Sequence, residues 1–413
     1  MSFSSLALDK SLTDAVKALG YESPTPIQQQ AVPPILAGKD IMAGAQTGTG
    51  KTAAFALPIL QQLIKYTDAS QFIHERPIRA LVLTPTRELA QQVYKSFLSY
   101  AENTQLNVAV AYGGVSINPQ ISVIEKGVDI LIATPGRLLD HIAKGSVDLS
   151  QLQTIIFDEA DRMLDMGFKD EIDRILSRVP NKRQTLLFSA TFDDAIFKLS
   201  KTLLNDPVLI EVSERNAAAA EVEQLVYTVD SHRKRELTSF LIGSKNWHQV
   251  LIFTRSKQMA DDLAKEMCKD GIQTQSIHGD KSQGARERAL AEFKQGKTRA
   301  LVATDVAARG IDIIDLKYVI NYELPYVAED YIHRIGRTGR AGNAGLAISL
   351  MSPNEEWLLE AVEKVLNNVL VQQWLPGYEP DMSNQNQPVK RSGKGKQQAR
   401  NKALGIKTTK KRR

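Results

Sequence analysis

The stretch Ala45-Gln46-Thr47-Gly48-Thr49-Gly50-Lys51-Thr52 follows an expected strand and opens an expected helix. In that setting backbone N–H groups at a helix N-terminus turn toward a β-phosphate, Lys51 reaches the β- and γ-phosphates, and Thr52 ligates Mg²⁺. The strict pattern asks for Gly where Ala45 stands, and a Gly-rich turn without a ligand is the competing reading. A carboxylate for the metal belongs at the end of a neighbouring strand, and Ile155-Ile156-Phe157 leads straight into Asp158-Glu159-Ala160-Asp161. Asp158 suits Mg²⁺, held largely through water because so small an ion dehydrates reluctantly. Glu159 suits a base that orients or deprotonates an attacking water. Such an acid cluster is by itself more often a solvated turn; its place after a buried strand and downstream of the phosphate loop argues for chemistry. Phosphoryl transfer also asks for cations on the γ-phosphate. His333-Arg334-Ile335-Gly336-Arg337-Thr338-Gly339-Arg340 spaces its arginines by three and interleaves them with Gly, which argues against packing. A surface basic helix is the alternative, and the two glycines weigh against a regular helix there. Arg337 and Arg340 are the expected γ-phosphate contacts.

The elements that must carry these residues are short, almost unbroken apolar runs alternating with helix-period stretches. Ile41-Met42-Ala43, Ala80 to Leu83, Asp129 to Ala133, Thr154 to Phe157 and Thr185 to Phe188 suit strands buried on both faces of a parallel sheet. The first helix is expected where Leu12, Ala15, Val16 and Leu19 fall at i, i+3, i+4 and i+7, with Ser11 and Asp14 as a capping box and Gly20 at C′. The same grammar restarts at Val250 to Phe253, Gln275 to Ile277, Ala300 to Ala303, Val319 to Tyr322 and Leu346 to Leu350. Two α/β domains are therefore expected, at 1–211 and 224–374, with an exposed linker at 212–223 that holds the run Ala217 to Ala220. A chain of 413 residues is comfortable for two domains with some terminal excess. Arg337 and Arg340 fall in the second, so hydrolysis would require the domains to close.

Composition narrows the class. A 43% hydrophobic and 24% charged chain is that of a soluble globular protein. No apolar run approaches the length that crosses a bilayer, and MSFSSLALDK lacks the basic-then-apolar pattern of a secretory leader. Cys268 is the only cysteine, which excludes disulfides and Cys-based zinc sites and points to a reducing, cytoplasmic setting. From Asp381 onward eleven Lys or Arg face Asp381 alone, giving this stretch +10 and leaving −5 for residues 1–380 of the chain's +5. Beyond Trp374 apolar residues thin out, and residues 375–413 are expected as a disordered basic tail.

In order and from Phe3 to Met351, these motifs resemble the DEAD-box RNA helicases. Phe3 and Gly20-Tyr21-Glu22-Ser23-Pro24-Thr25-Pro26-Ile27-Gln28 resemble the Q motif, and Ala45 to Thr52 resembles motif I with that family's own Ala in first place. Pro85 to Ala90 resembles motif Ia, Gly113-Gly114 the GG element, Thr134 to Arg137 motif Ib, Asp158 to Asp161 motif II and Ser189-Ala190-Thr191 motif III. Leu251 to Ser256, Gln283 with Arg286, Ala303 to Asp312 and His333 to Arg340 resemble motif IV, the QxxR pair, motif V and motif VI. The resemblance implies two tandem RecA-like domains and an ATPase dependent on ATP and Mg²⁺. It makes Lys51, Asp158, Glu159, Arg337 and Arg340 catalytic. It gives ATP to Phe3, Tyr21, Gln28, the residues Ala45, Gln46, Thr47, Gly48, Thr49, Gly50, Lys51 and Thr52, and Asp312. Gln28 would read adenine, its amide matching N6–H₂ and N7, and Phe3 would stack on the base. Ser189 and Thr191 would relay between Asp161 and the domain interface. RNA falls to Thr86, Arg87, Gly114, Thr134, Arg137, Arg255, Arg286 and Thr304, as backbone contacts without base readout. Asp158 to Phe168 and residues 1–60 look most like the bacterial RhlE-like helicases. The implied partners are single-stranded RNA and short duplexes, in ribosome assembly or RNA decay.

Three function classes remain to be weighed. An RNA-stimulated ATPase that unwinds short duplexes and an ATP-gated RNA clamp use the same residues. A P-loop GTPase should carry Asn-Lys-x-Asp, which Asn181-Lys182-Arg183-Gln184 is not; a DNA translocase differs by 2′-OH contacts that no sequence displays.

Overall fold

The computed structural model describes residues 2–44, 49–65, 76–192, 194–212, 222–308, 316–339 and 345–381. The chain divides into two compact units, Met1–Glu214 and Arg215–Arg413. In the first, a short 3₁₀ turn precedes α1 (Lys10–Ala18), α2 (Pro26–Leu36), β1 (Ile41–Gly44) and α3 (Lys51–Lys65). Next come β2 (Ala80–Leu83), α4 (Arg87–Ala101), β3 (Val108–Ala111), α5 (Asn118–Ile124), β4 (Ile130–Ala133) and α6 (Pro135–Ala143). The unit closes with β5 (Thr154–Phe157), α7 (Ala160–Asp165), α8 (Lys169–Leu176), β6 (Gln184–Ser189), α9 (Asp194–Leu203) and β7 (Val208–Glu211). The second unit runs β8 (Val222–Thr228), α10 (Lys234–Ser244), β9 (Val250–Thr254), α11 (Lys257–Lys269), β10 (Thr274–Ile277) and α12 (Gln283–Lys294). It continues with β11 (Ala300–Thr304), α13 (Asp305–Ala308), β12 (Tyr318–Asn321), α14 (Ala328–Ile335), β13 (Gly345–Met351), α15 (Glu356–Leu366) and β14 (Val371–Gln373).

Each unit builds one seven-stranded sheet, ordered β3-β4-β2-β5-β6-β1-β7 in the first and β10-β11-β9-β12-β13-β8-β14 in the second. All the strand pairs are parallel. Period two sorts the apolar side chains between the faces. Ile41, Val82, Ile132 and Phe188 pack beneath α1–α4, while Met42, Leu81, Leu131 and Leu187 pack against residues of α6–α9. With both faces sealed, the strands read as apolar runs rather than alternating ones.

Local departures from expectation have simple causes. The N-cap of α1 is Asp9, whose carboxylate accepts from Ser11 N, so Ser11 is the second helical residue and not the cap. Gly20 does stand at C′, at φ 78°, with Gly20 N on Lys17 O and Tyr21 N on Val16 O closing a Schellman turn. Leu19, counted on the buried stripe, is exposed because the helix has already ended. Val222 and Glu223, expected in the linker, open β8 and pair with Gly345 and Leu346; 213–221 lie outside the described residues. The expected tail starts too early. Leu375 and Tyr378 pack on the second core, Tyr378 sits 5.6 Å from Phe240 and under the Arg233 guanidinium, and Asp381 N donates to Asp230. Residues 382–413 lie outside the described residues.

One buried ion cluster ties the amino ends of β2, β3 and β4 together. Asp129, 2% exposed, accepts from Arg79 at 2.6 Å, Arg76 at 2.9 Å and Asn107 N at 2.8 Å. Arg79 is also buried, so Asp129→Ala strands a charge away from water. The loss should be about 3–5 kcal/mol, read as a lower urea midpoint with an unchanged m-value; a wild-type midpoint would show that the cluster contributes nothing.

Candidate functional site

Lys51 is the first residue of α3 and Asp158 follows β5, so both stand at the carboxyl edge of the first sheet, where parallel α/β folds bind ligands. Both are nearly sealed from solvent, at 6% and 3% exposure. Neither Lys51 Nζ nor Asp158 Oδ1 makes a hydrogen bond. Burial pushes the Asp158 carboxyl up to about 7; the Lys51 charge pulls it back only in part, while Glu159 and Asp161 add to the rise. A buried ammonium and a buried carboxylate oxygen without partners are groups built for a ligand that brings both charges and oxygens. Thr52, half-buried beside Lys51, adds a hydroxyl. Hydroxyl and carboxylate oxygens fit Mg²⁺. Among the described residues no group of three or more His, Cys, Asp or Glu could hold a metal, so the ion would take its other ligands from phosphate and water.

Glu159 sits in the left-handed region at φ 55°, ψ 54°, a conformation that costs a non-glycine residue roughly 1–3 kcal/mol. The turn lets the chain leave β5, pinned by Asp158 N on Leu83 O, and enter α7 at once. Asp161 then lies within reach of the strand β6 turn: one carboxylate oxygen accepts from Ala190 N at 3.2 Å, Thr191 N at 3.1 Å and Thr191 Oγ1 at 3.2 Å. Ser189 Oγ donates to Thr191 O at 2.7 Å. Motifs II and III are thus one hydrogen-bonded piece within this domain.

Gln28 is placed as a cap. Its Oε1 accepts from Thr25 N at 3.0 Å, and its Nε2 donates to Gly50 O at 3.1 Å. Gly50 is at φ 92°, and a Cβ there would run into the Gln28 amide. The pattern Thr25-x-x-Gln28 was the available signal for the cap; the link to Gly50 had none. Phe3 is buried in the core and stacks on Tyr21 with ring centroids 6.4 Å apart. The accessible ring is therefore that of Tyr21, whose hydroxyl lies 3.3 Å from that of buried Tyr100. Thr49 and Gly50 are half-buried; Ala45, Gln46, Thr47 and Gly48 lie outside the described residues.

The remaining first-domain candidates gather at the carboxyl ends of three adjacent strands, β2, β3 and β4. Thr86 caps α4 by accepting from Leu89 N at 3.2 Å. Gly114, at φ 81°, lies against the Arg87 guanidinium, which a Cβ would strike. Thr134 is the N-cap residue of α6. Arg137 is buried and donates to Val115 O at 2.8 Å and Gln120 Oε1 at 3.2 Å. Gln120 and Gln91 were missed from the sequence, because single amides on helices carry no periodic signal.

The second domain departs more from expectation. Arg334 is no ligand-facing cation: at 1% exposure it grips Asp305 through Nε and Nη2 at 2.6 and 2.8 Å and donates to Glu323 O at 2.6 Å. It also lies over Phe253. Packing does use an arginine of this series, because α14 extends through Ile335 and carries Arg334 into the core. Arg337 follows the helix and is buried. Arg255 is held by Glu323 and Glu355 and covers Tyr326, while Glu355 also pairs with buried Lys234. Burial raises the Glu355 carboxyl, but the Lys234 and Arg255 charges outweigh it and hold the group below its usual range. Arg286 and Thr304 are buried beside the carboxyl ends of β10 and β11. Asp312 and Arg340 lie outside the described residues.

The Asp158 carboxyl has a folded value near 7, above its unfolded 3.8. Folding then takes up a proton between those values, so stability falls as pH rises through that window and levels above about 7. The span corresponds to about 4 kcal/mol. Asp158→Asn should match wild type near pH 4 and become the more stable protein by pH 8 in paired urea melts. A gap independent of pH would remove the assignment of strain to this carboxylate.

The chain matches the DEAD/DEAH box helicase family over residues 25–199 and the helicase conserved C-terminal domain over residues 232–342. The DEAD-box ATP-dependent RNA helicase RhpA of Helicobacter pylori is 40% identical over 367 residues, 89% of this chain and 73% of that protein. The ATP-dependent RNA helicase CshA of Listeria monocytogenes is 41% identical over 362 residues, 88% of this chain and 68% of that protein. Among solved structures, S. cerevisiae Dbp5 bound to RNA and ADP BeF3 is similar with a TM-score of 0.81 and 30% identity, covering 92% of this chain and 95% of that one. The family models and these relatives agree, and the buried, unpartnered Lys51 and Asp158 fall within the matched region: the chain belongs to the DEAD-box family of ATP-dependent RNA helicases.

Proposed function

We propose that the protein couples ATP binding and hydrolysis to local, sequence-independent opening of short RNA duplexes or remodelling of RNA–protein complexes. The observation that carries this is the unpartnered, buried Lys51 and Asp158 on the same sheet edge as Thr86, Gly114 and Arg137. Lys51 would hold the β- and γ-phosphates. Thr52 and Asp158 would hold Mg²⁺, which supplies charge neutralisation on the phosphates when bound. Glu159 would orient the attacking water, and Arg337 with Arg340 would neutralise charge as the γ-phosphate leaves. Gln28 would select adenine and Tyr21 offer its ring to the base. The RNA contacts would go to phosphate and sugar, with no base edge read. RNA in the solved complex with Dbp5 supports this substrate.

The run Asp158 to Phe168 supports a place near the bacterial RhlE-like helicases, and the single cysteine supports a reducing, cytoplasmic setting.

Glu159→Gln keeps the shape of the side chain and removes its basicity. It should lower RNA-stimulated turnover by about 10²–10⁴ while ATP and RNA still bind. Beside it, wild type should displace a strand from a short duplex with ATP, and Glu159→Gln should not. Wild type that hydrolyses ATP on RNA without displacing a strand would leave the ATP-gated clamp as the function; a Glu159→Gln enzyme with normal turnover would remove the base.

The basic stretch 382–413 is proposed as an RNA tether. Each phosphate neutralised on a single strand contributes about 0.7 to the slope of log affinity against log salt. If roughly half of its eleven cations engage, truncation after Asp381 should lower that slope by about 3–4 and weaken binding mainly at low salt. Equal slopes for the two proteins would make the stretch a solubilising extension.

A further inference from the structure

The loop Tyr112–Val115 turns through Gly114 at φ 81°, which glycine permits without fixing the rest of the loop. Side chains from three helices hold it in place. From α4, Gln91 Nε2 donates to Tyr112 OH at 2.7 Å. From α6, Arg137 Nη2 donates to Val115 O at 2.8 Å. From α5, Gln120 Nε2 donates to Tyr112 O at 3.1 Å. Gln120 uses the other end of its amide on the same group of residues. Its Oε1 accepts from Arg137 Nη1 at 3.2 Å and lies 3.2 Å from His141 Nε2.

These contacts fix one another. Because the Gln120 amide N–H donates to the Tyr112 carbonyl, its oxygen must be the acceptor for both neighbours. His141, wholly buried, then carries its proton on Nε2, and Nδ1 accepts from Ser146 Oγ at 2.9 Å. Burial, reinforced by the Arg137 charge, lowers the His141 pKa, which agrees with the neutral ring. The Arg137 guanidinium is held at three points, by Gln120 Oε1, by Val115 O and by the Asp140 carboxylate at 3.5 Å, and Gln120 is the one that also holds the Tyr112 carbonyl. Neither Glu nor an apolar isostere can replace Gln, since the site needs a donor and an acceptor about one amide apart.

We infer that Gln120 is a positioning residue for RNA: it locks the Gly114 backbone and the Arg137 guanidinium into one arrangement that receives a sugar–phosphate backbone. This rests on the proposal above that Gly114 and Arg137 touch RNA. A lock of this kind lowers the ordering entropy that would otherwise oppose binding, so Gln120 contributes to affinity without touching the strand.

The test uses the full chain, a labelled single-stranded RNA and a non-hydrolysable ATP analogue, with Gln120→Met, Arg137→Ala and the double variant. Each single change should weaken RNA binding on the order of tenfold and lower the salt slope by about 0.7, the loss of one phosphate contact. The double variant should bind no worse than the weaker single, because both changes remove the same contact. A purely structural role would lower the melting temperature without moving the salt slope. Gln120→Glu, which keeps the acceptor and loses the donor, should fall between wild type and Gln120→Met, and it decides the matter if Gln120→Met folds poorly. Additive losses, or wild-type affinity and slope for the Gln120 variants beside a weakened Arg137→Ala, overturn the inference alone. An Arg137→Ala protein indistinguishable from wild type overturns the RNA contact beneath it, and the inference with it.

Discussion

A parallel sheet covered on both faces leaves one place for polar chemistry, the edge where its strands end and their helices begin. In the first domain that edge is divided by strand order. The neighbours β3, β4 and β2 lead to Gly114, Thr134 and Thr86, whereas β5 and β6 lead to Asp158 and Ser189, and β1 precedes the helix that opens at Lys51. The two groups adjoin where β2 pairs with β5.

Charge burial is handled in two opposite ways. Asp129 is saturated, with Arg76, Arg79 and Asn107 N around it, and its cluster is structural. Asp158 is starved: it has a cation nearby but no hydrogen bond on Oδ1, and it shows in a carboxyl pushed up to about 7. The second domain falls between. The guanidinium of Arg255 is shared by Glu323 and Glu355, so any phosphate that engages it must exchange for carboxylates already in place. An anion that displaced a carboxylate there would meet an arginine that is already desolvated.

How much of this was legible depends on what each feature needs. Buried strands such as Ala80–Leu83 and Thr154–Phe157 need only unbroken apolar runs, and their limits could be read residue by residue. Strands β3, β7 and β14 escaped notice because they flank the sheets, where partial exposure breaks the run. Strand β8 is interrupted by exposed Glu223 and half-buried Gln224, which fall on opposite faces and break the apolar run. The helix that opens at Lys51 and the acids that follow β5 were legible because local spacing encodes them. Arg334 was misjudged because its three partners, Asp305, Asn321 and Glu323, come from distant stretches of chain. Gln120 was invisible for the same reason.

The amide of Gln28 has no idle end in this structure: one side holds the start of α2 and the other holds Gly50. For that amide to recognise a base, it must trade rather than acquire. The net gain is then the difference between two satisfied states, which is small for the right purine and negative for one that presents the wrong pattern of donors and acceptors. A mismatched nucleotide would leave the tie to Gly50 intact. The base would thus be checked by whether it can release a strut at the mouth of the phosphate loop, and selectivity would reside in a mechanical permission as much as in affinity.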